Sequence, residues 1–223
     1  MMLSCGAVSK VYSTERGDVE AVRGIDLAVP KGQFAAIVGR SGSGKSSLLA
    51  MIGGLSRPTR GTVRVEETDI WALPDRGLAD FRNRRIGFVF QFASLLPTLR
   101  VIDNVALPAL LGPARDTRRA YGEAAELLAQ FGLAEHVDAY PAEISAGEQR
   151  RVVIARALIN APALLLADEP TSDLDEETEG EIMERFRTVN RERAMTLIMV
   201  THNLRLAEHT DRVVHIADGK LAA

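Results

Sequence analysis

Residues 39–46 read Gly39-Arg40-Ser41-Gly42-Ser43-Gly44-Lys45-Ser46, which meets the pattern G-x-x-x-x-G-K-[ST] at every fixed position. The stretch is preceded by the apolar run 34–38 and followed by residues 45–52, which read as a helix ended by Gly53-Gly54. Strand, glycine-rich loop and helix in that order form a cradle for phosphate. The glycines let successive backbone N–H groups face an anion, and the helix adds the positive end of its dipole. Lys45 brings a full charge to the outer phosphates, and the Ser46 hydroxyl suits Mg²⁺. A plain Gly/Ser turn would explain the glycines but not the lysine-serine pair at the helix start. Gly39, Ser41, Gly42, Ser43, Gly44, Lys45, Ser46 and Ser47 are the candidate phosphate contacts.

Outward from the loop, residues 3–12 and 19–29 read as strands joined by a charged turn at 14–18. Residues 61–74 alternate like strands, and 85–90 is a further short apolar strand. From about residue 92 the period becomes helical. Ala124, Leu127, Leu128 and Phe131 fall on one face closed by Gly132, and a second helix spans roughly 147–159. Apolar runs at 164–167 and 196–200, separated by a charged helix over 176–191, suit a parallel sheet covered on both faces. Residues 213–216, an Asp218-Gly219 turn and a brief return strand close the chain.

The run Leu164-Leu165-Leu166-Ala167 ends in Asp168-Glu169. Open α/β sheets place ligand chemistry at such strand ends. Asp168 is the candidate for the Mg²⁺ shell and Glu169 for polarising the water that attacks the γ-phosphate. Taken alone, the pair could be a solvated acidic turn.

The segment Ile144-Ser145-Ala146-Gly147-Glu148-Gln149-Arg150 resembles the signature sequence of ABC ATPases, L-S-G-G-[QE], followed by a helix. Other marks of that family follow in order: Gln91 as the lobe-linking glutamine, Ser172-Asp173-Leu174-Asp175 as the D-loop and His202 as the switch histidine. Tyr12 stands at the place of the adenine-stacking aromatic. Each has a plainer alternative: Gln91 a polar strand end, Tyr12 a half-buried strand aromatic, His202 a strand cap. The resemblance implies an α/β P-loop NTPase with the ABC ATPase fold. Its parts are a mixed β core lobe (1–91 and 161–223), an inserted α-helical lobe (about 92–160) and an N-terminal antiparallel β subdomain, all in one domain. It further implies an ATP hydrolase using ATP and Mg²⁺, with Glu169, His202 and Lys45 catalytic and Ser46, Gln91 and Asp168 around the metal. Tyr12, Gln91, Ser145, Gly147, Glu148 and Asp175 join the loop residues around nucleotide.

Within that family the resemblance is to lipoprotein-release and macrolide-export ATPases and a related cell-division ATPase. It rests on Gly87-Phe-Val-Phe-Gln91-Phe, Leu95-Leu-Pro97-Thr-Leu99 and Asn104-Val105-Ala106-Leu107-Pro108. This implies a homodimer on ATP binding that drives an integral membrane permease, or a fused transmembrane domain, from the cytoplasmic face of the inner membrane. The alternatives are a mechanotransmission or cell-division complex and a soluble ABC ATPase. Residues 92–99 read either as a docking surface or as packing of the helical lobe. Ala146 departs from the signature glycine: a Cβ there is strained if the position needs positive φ and harmless if it needs only a small residue.

Other features narrow the class. The net charge of −3 gives no basic surplus for nucleic acid. The clusters at Arg82–Arg85 and Arg150-Arg151 read as solvated faces or ion-pair partners. A single cysteine, Cys5, fits a reducing compartment. No segment approaches a membrane span, and polar residues interrupt any N-terminal apolar stretch, so a cytoplasmic, peripheral protein is expected. His136, His209, His215 and Trp71 match no motif, and the guanine-reading N-K-x-D is absent.

Overall fold

The computed structural model describes residues 1–15, 17–92, 94–112, 116–172 and 174–222. Two sheets organise them. The first is four-stranded and antiparallel, in the order β2 (Gly17–Val29), β1 (Leu3–Thr14), β4 (Arg60–Val65), β5 (Thr68–Asp69). The second has six strands: β10 (Lys220–Leu221), β9 (Arg212–Ala217), β3 (Phe34–Val38), β8 (Thr196–Thr201), β7 (Leu164–Asp168), β6 (Ile86–Val89). Its inner pairs are parallel, and only β10 runs antiparallel, to β9.

The parallel strands are apolar throughout because both faces are buried. Along β3, Phe34, Ala36 and Val38 enter one core, while Ala35 and Ile37 enter the other. The same alternation holds along β7 and β8, as the two-residue period of a strand requires. The first core packs helices α3 (Val101–Leu111), α4 (Thr117–Gln130), α5 (Ala146–Leu158) and α6 (Glu176–Arg193) against the sheet. The second packs α1 (Lys45–Ile52) and the antiparallel sheet on the opposite face. Cys5 lies in this second core, where burial, with the charge of Asp26 adding, pushes its thiol pKa up to about 12 and keeps it unreactive.

One expectation changes, and two helices appear for which no individual span was read from the sequence. The strand pattern over 61–74 breaks after β4: Glu66 turns with φ 55, and only two residues pair again as β5. A 3-10 turn over Ile70–Ala72 follows, capped by the Asp69 carboxylate on Trp71 N. Helix α2 (Asp75–Arg85) carries six charged residues and buries only Leu78, so it shows no apolar stripe to read. Helix α3 contains Pro108 and β-branched residues, both poor helix signals, yet packing on the first core holds it. Trp71 is a packing residue, its Nε1 donating to Met51 O at 3.0 Å with the Arg57 guanidinium 5.3 Å from its ring. Among the described residues, no helix is long and apolar enough to cross a membrane.

The C-terminal half of the irregular segment between β6 and α3 is tied to α3 by the side chain of Asn104. Asn104, fully buried on α3, accepts from Leu96 N at 2.8 Å, and its Nδ2 donates to the carbonyls of Leu96, Leu99 and Arg100 at 3.0–3.1 Å. A leucine of similar size would orphan these groups. Asn104→Leu is expected to lower stability by roughly 2–4 kcal/mol, the cost of buried polar groups left unpaired. It is also expected to speed amide exchange at Leu96. Urea unfolding and hydrogen exchange at the level of wild type would show that the network carries no such weight.

Candidate nucleotide-binding site

Four strand ends converge on one edge of the large sheet. Gly39 follows β3, Asp168 is the last residue of β7, His202 follows β8, and Gln91 lies two residues beyond β6. Between them opens a cleft of about 600 Å³ lined by the phosphate loop from Ser41 to Ser47, by Gln91, Glu169 and His202, and by Ala21 from β2.

The loop is tight. Gly44 has φ 100, and a Cβ there would collide with Ala21 O; at Gly39 a Cβ would collide with Ile216 O. Lys45 is buried, and its Nζ donates to Gly39 O at 2.8 Å and Arg40 O at 3.0 Å. Ser43 Oγ is buried and has no hydrogen-bond partner among the described residues. The Ser46 hydroxyl donates to Asp168 Oδ1 at 3.1 Å. Burial pushes the Asp168 carboxyl above its usual range; the Ser46 hydrogen bond opposes this, the Glu169 charge adds to it, and Lys45 opposes it.

Glu169 sits in the left-handed region, with φ 45. Its N–H donates to Val200 O at 2.9 Å, and its carbonyl accepts from Ser172 N at 3.2 Å and Ser172 Oγ at 3.0 Å. These bonds hold a backbone conformation that costs about 1–3 kcal/mol when unsupported. The carboxylate is thereby turned towards His202, whose Nδ1 lies 3.0 Å from both oxygens. The His202 side chain is itself mostly exposed.

Tyr12 does not line the cleft. Its hydroxyl reaches Ser47 Oγ at 3.4 Å, and Lys10 Nζ lies 5.0 Å from its ring centroid. Asp175 does not line it either. It caps α6, accepting from Thr178 N at 2.9 Å and Thr178 Oγ1 at 2.8 Å, bonds that hold its carboxyl below the usual range. Asp173 lies outside the described residues.

The signature residues stand apart from the cleft. Ser145 is exposed and caps α5: its Oγ accepts from Glu148 N at 3.3 Å, while Glu148 Oε2 accepts from Ser145 N and Oγ, both at 2.8 Å. Those two bonds hold the Glu148 carboxyl below its usual range, and His136 Nε2 lies 3.2 Å from its other oxygen. Ala146 is the first residue of α5, so the position takes ordinary helical backbone and alanine is unstrained. Gly147 lies close to α6, where a Cβ would stand 3.2 Å from Thr178 Cγ2.

One residue was misread from sequence. Arg150 is not on a solvated face. It is buried, and it donates to Phe90 O at 2.8 Å and Gln91 O at 2.7 Å. The signal was present, since Arg150 precedes the core residues Val153 and Ile154 by three and four and so shares their helix face.

The model of the ABC transporter family matches residues 22–172. The lipoprotein-releasing system ATP-binding protein LolD of Geobacter metallireducens is 46% identical over 216 residues, 97% of this chain and 96% of that protein. The macrolide export ATP-binding/permease protein MacB of Rhodopirellula baltica is 41% identical over 222 residues, which span 99% of this chain and 32% of that larger protein. Among solved structures, an ATP-binding cassette in a dimeric post-hydrolysis state bound to ADP and Pi superposes with a TM-score of 0.92. It is 35% identical, with 100% of this chain and 97% of that one covered. Likeness in sequence over nearly the whole chain and likeness in backbone over all of it agree with the chemistry of the cleft, and the chain belongs to the ABC transporter family as an ATP-hydrolysing P-loop cassette.

Proposed function

We propose that two copies of this chain close head to tail over two ATP molecules and drive a membrane permease of the lipoprotein-release or macrolide-export type from its cytoplasmic face. The division of the site carries this reading. Phosphate loop, Gln91, Glu169 and His202 share one cleft, whereas Ser145, Gly147 and Glu148 begin a different helix and do not line it. An exposed serine at a helix N-terminus suits an anion, and the γ-phosphate held by a second copy supplies one. The ADP-bound relative was solved as a dimer, and the relatives' names couple ATP-binding to lipoprotein release or macrolide export.

Within the cleft the loop amides, the N-terminus of α1 and the Lys45 ammonium meet the phosphates, fixed in place before substrate arrives. The Ser46 hydroxyl and Asp168 carboxylate, already in contact, and the Gln91 side chain form a sparse oxygen donor set that fits Mg²⁺, which takes its other ligands from water and phosphate. Bound there, Mg²⁺ would offset charge on the β- and γ-phosphate oxygens. Glu169 accepts a proton from the attacking water as that oxygen bonds to the γ-phosphorus and the bond to the bridging oxygen breaks, leaving its electron pair on ADP. His202 keeps the carboxylate from turning away. Tyr12, whose hydroxyl reaches Ser47 Oγ at 3.4 Å, is the aromatic side chain we assign to the adenine ring.

The apolar stretch beyond Gln91 divides between its two readings. Leu95 packs against the helical core, while Phe90, Phe92 and Leu96 are exposed. These three side chains are the surface we assign to the permease.

Three variants test the reading. Lys45→Ala should bind ATP weakly and hydrolyse none; near-normal turnover would exclude this cleft. Ser145→Arg should bind ATP as a monomer yet fail to hydrolyse it, because the residue serves the partner's nucleotide; wild-type hydrolysis by the dilute monomer rules out the sandwich. Glu169→Gln keeps the shape but loses the proton acceptor, so hydrolysis should fall by ~10²–10⁴-fold. ATP should still bind, and the protein should accumulate as an ATP-bound homodimer on size-exclusion chromatography. A Glu169→Gln chain that stays monomeric at saturating ATP, or that turns over at the wild-type rate, removes Glu169 from the mechanism.

A further inference from the structure

We propose that Arg150 is a positioning residue for ATP hydrolysis that acts through Gln91, a proposal that rests on the role assigned above to Gln91 in the phosphate cleft. Strand β6 is the edge of the large sheet and ends at Val89. The next two carbonyls, of Phe90 and Gln91, accept from the two terminal nitrogens of the Arg150 guanidinium at 2.8 and 2.7 Å. The planar fork of arginine matches two adjacent acceptors; a lysine ammonium is a point charge without that geometry.

The same helix takes a second grip. Arg156, six residues further along α5, donates from Nη1 to Ser94 O at 2.9 Å and from Nη2 to Ser94 Oγ at 3.3 Å. The segment that contains Gln91 is therefore fastened to α5 on both sides of that residue. Ser145, at the start of α5, lies five residues before Arg150, a rise of about 7.5 Å along one rigid helix. An anion that draws Ser145 towards a partner copy moves the body that carries Gln91. Whether Gln91 faces the phosphates of its own cleft then depends on whether α5 is engaged at the other. Arg150 thus links the nucleotide that the chain holds to the nucleotide its signature helix caps.

Its depth in the fold makes a purely structural role the competing explanation, and a double-mutant cycle separates the two. In the full-length chain, Arg150→Gln should bind a fluorescent ATP analogue within about twofold of wild type, since no phosphate-loop group changes. Its kcat should fall ~10–100-fold, the scale set by a misplacement of about 1 Å. Arg150→Lys should fall between the two. Placed in a Gln91→Ala chain, Arg150→Gln should cost no further activity, because the group it positions is already gone. Losses that multiply in the double variant overturn the proposal, as does wild-type kcat in Arg150→Gln. A Gln91→Ala chain that turns over normally sinks both the proposal and the role of Gln91, whereas a slow Gln91→Ala with multiplying losses sinks only the part given to Arg150. If Arg150→Gln does not fold, the same cycle run with Arg150→Lys decides the question.

Discussion

The cleft depends on how closely two backbone carbonyls approach the phosphate loop. Ala21 O of β2 stands against Gly44, and Ile216 O of β9 stands against Gly39, each where any Cβ would collide. The loop is therefore clasped between the antiparallel sheet and the last parallel strand. Gly219 N donates to Ser43 O, and Gly219 O accepts from Arg23 N, so the C-terminal hairpin closes the clasp. A loop held on both sides can present its amides without rearranging, which is the condition under which fixed dipoles stabilise phosphate charge. The position of the antiparallel sheet, and of Tyr12 on it, follows from the same contact.

Rigidity and exposure are divided in a consistent way. Lys45 is buried, and Glu169 is mostly covered and held by backbone bonds. Ser145, Ala146, Phe92 and Leu96 are exposed. Under the proposed sandwich the first set meets the chain's own nucleotide, and the second meets a partner copy or a permease. In that proposal the chain's own cleft, which the signature residues do not line, is completed by a second copy, and hydrolysis is thereby tied to assembly.

Much of this was legible in the residues, for identifiable reasons. β3, β7 and β8 are buried on both faces, so they stand out as unbroken apolar runs that end at the chemistry. α2 was not read because it lacks an apolar stripe, and α3, though inside the expected helical lobe, was not delimited because Pro108 breaks its pattern. The conformation of Ala146 had to be seen, since the same sequence permits a strained turn or a helix start. Arg150 shows a different failure. Charge suggested a solvated face or an ion pair, and the helix period that points Arg150 inward was not applied to it. A buried arginine finds its partners in carbonyls sixty residues away, and no local pattern announces them.

Asn104, Arg150 and Arg156 also show how an irregular segment is kept in place without secondary structure. The described residues from Phe90 to Arg100 have no regular strand or helix, and their carbonyls must still be satisfied if the segment is not to melt. Three side chains from α3 and α5 supply the donors, at Phe90, Gln91, Ser94, Leu96, Leu99 and Arg100. All three belong to helices of the first core, so the segment between the phosphate cleft and the exposed Phe92 and Leu96 is tied to those helices. Under the proposed docking of a permease at that surface, the same anchors, hydrogen bonds between 2.7 and 3.1 Å, are what connect it to Gln91. The apolar surface and the cleft are thereby two ends of one short, polar-pinned segment.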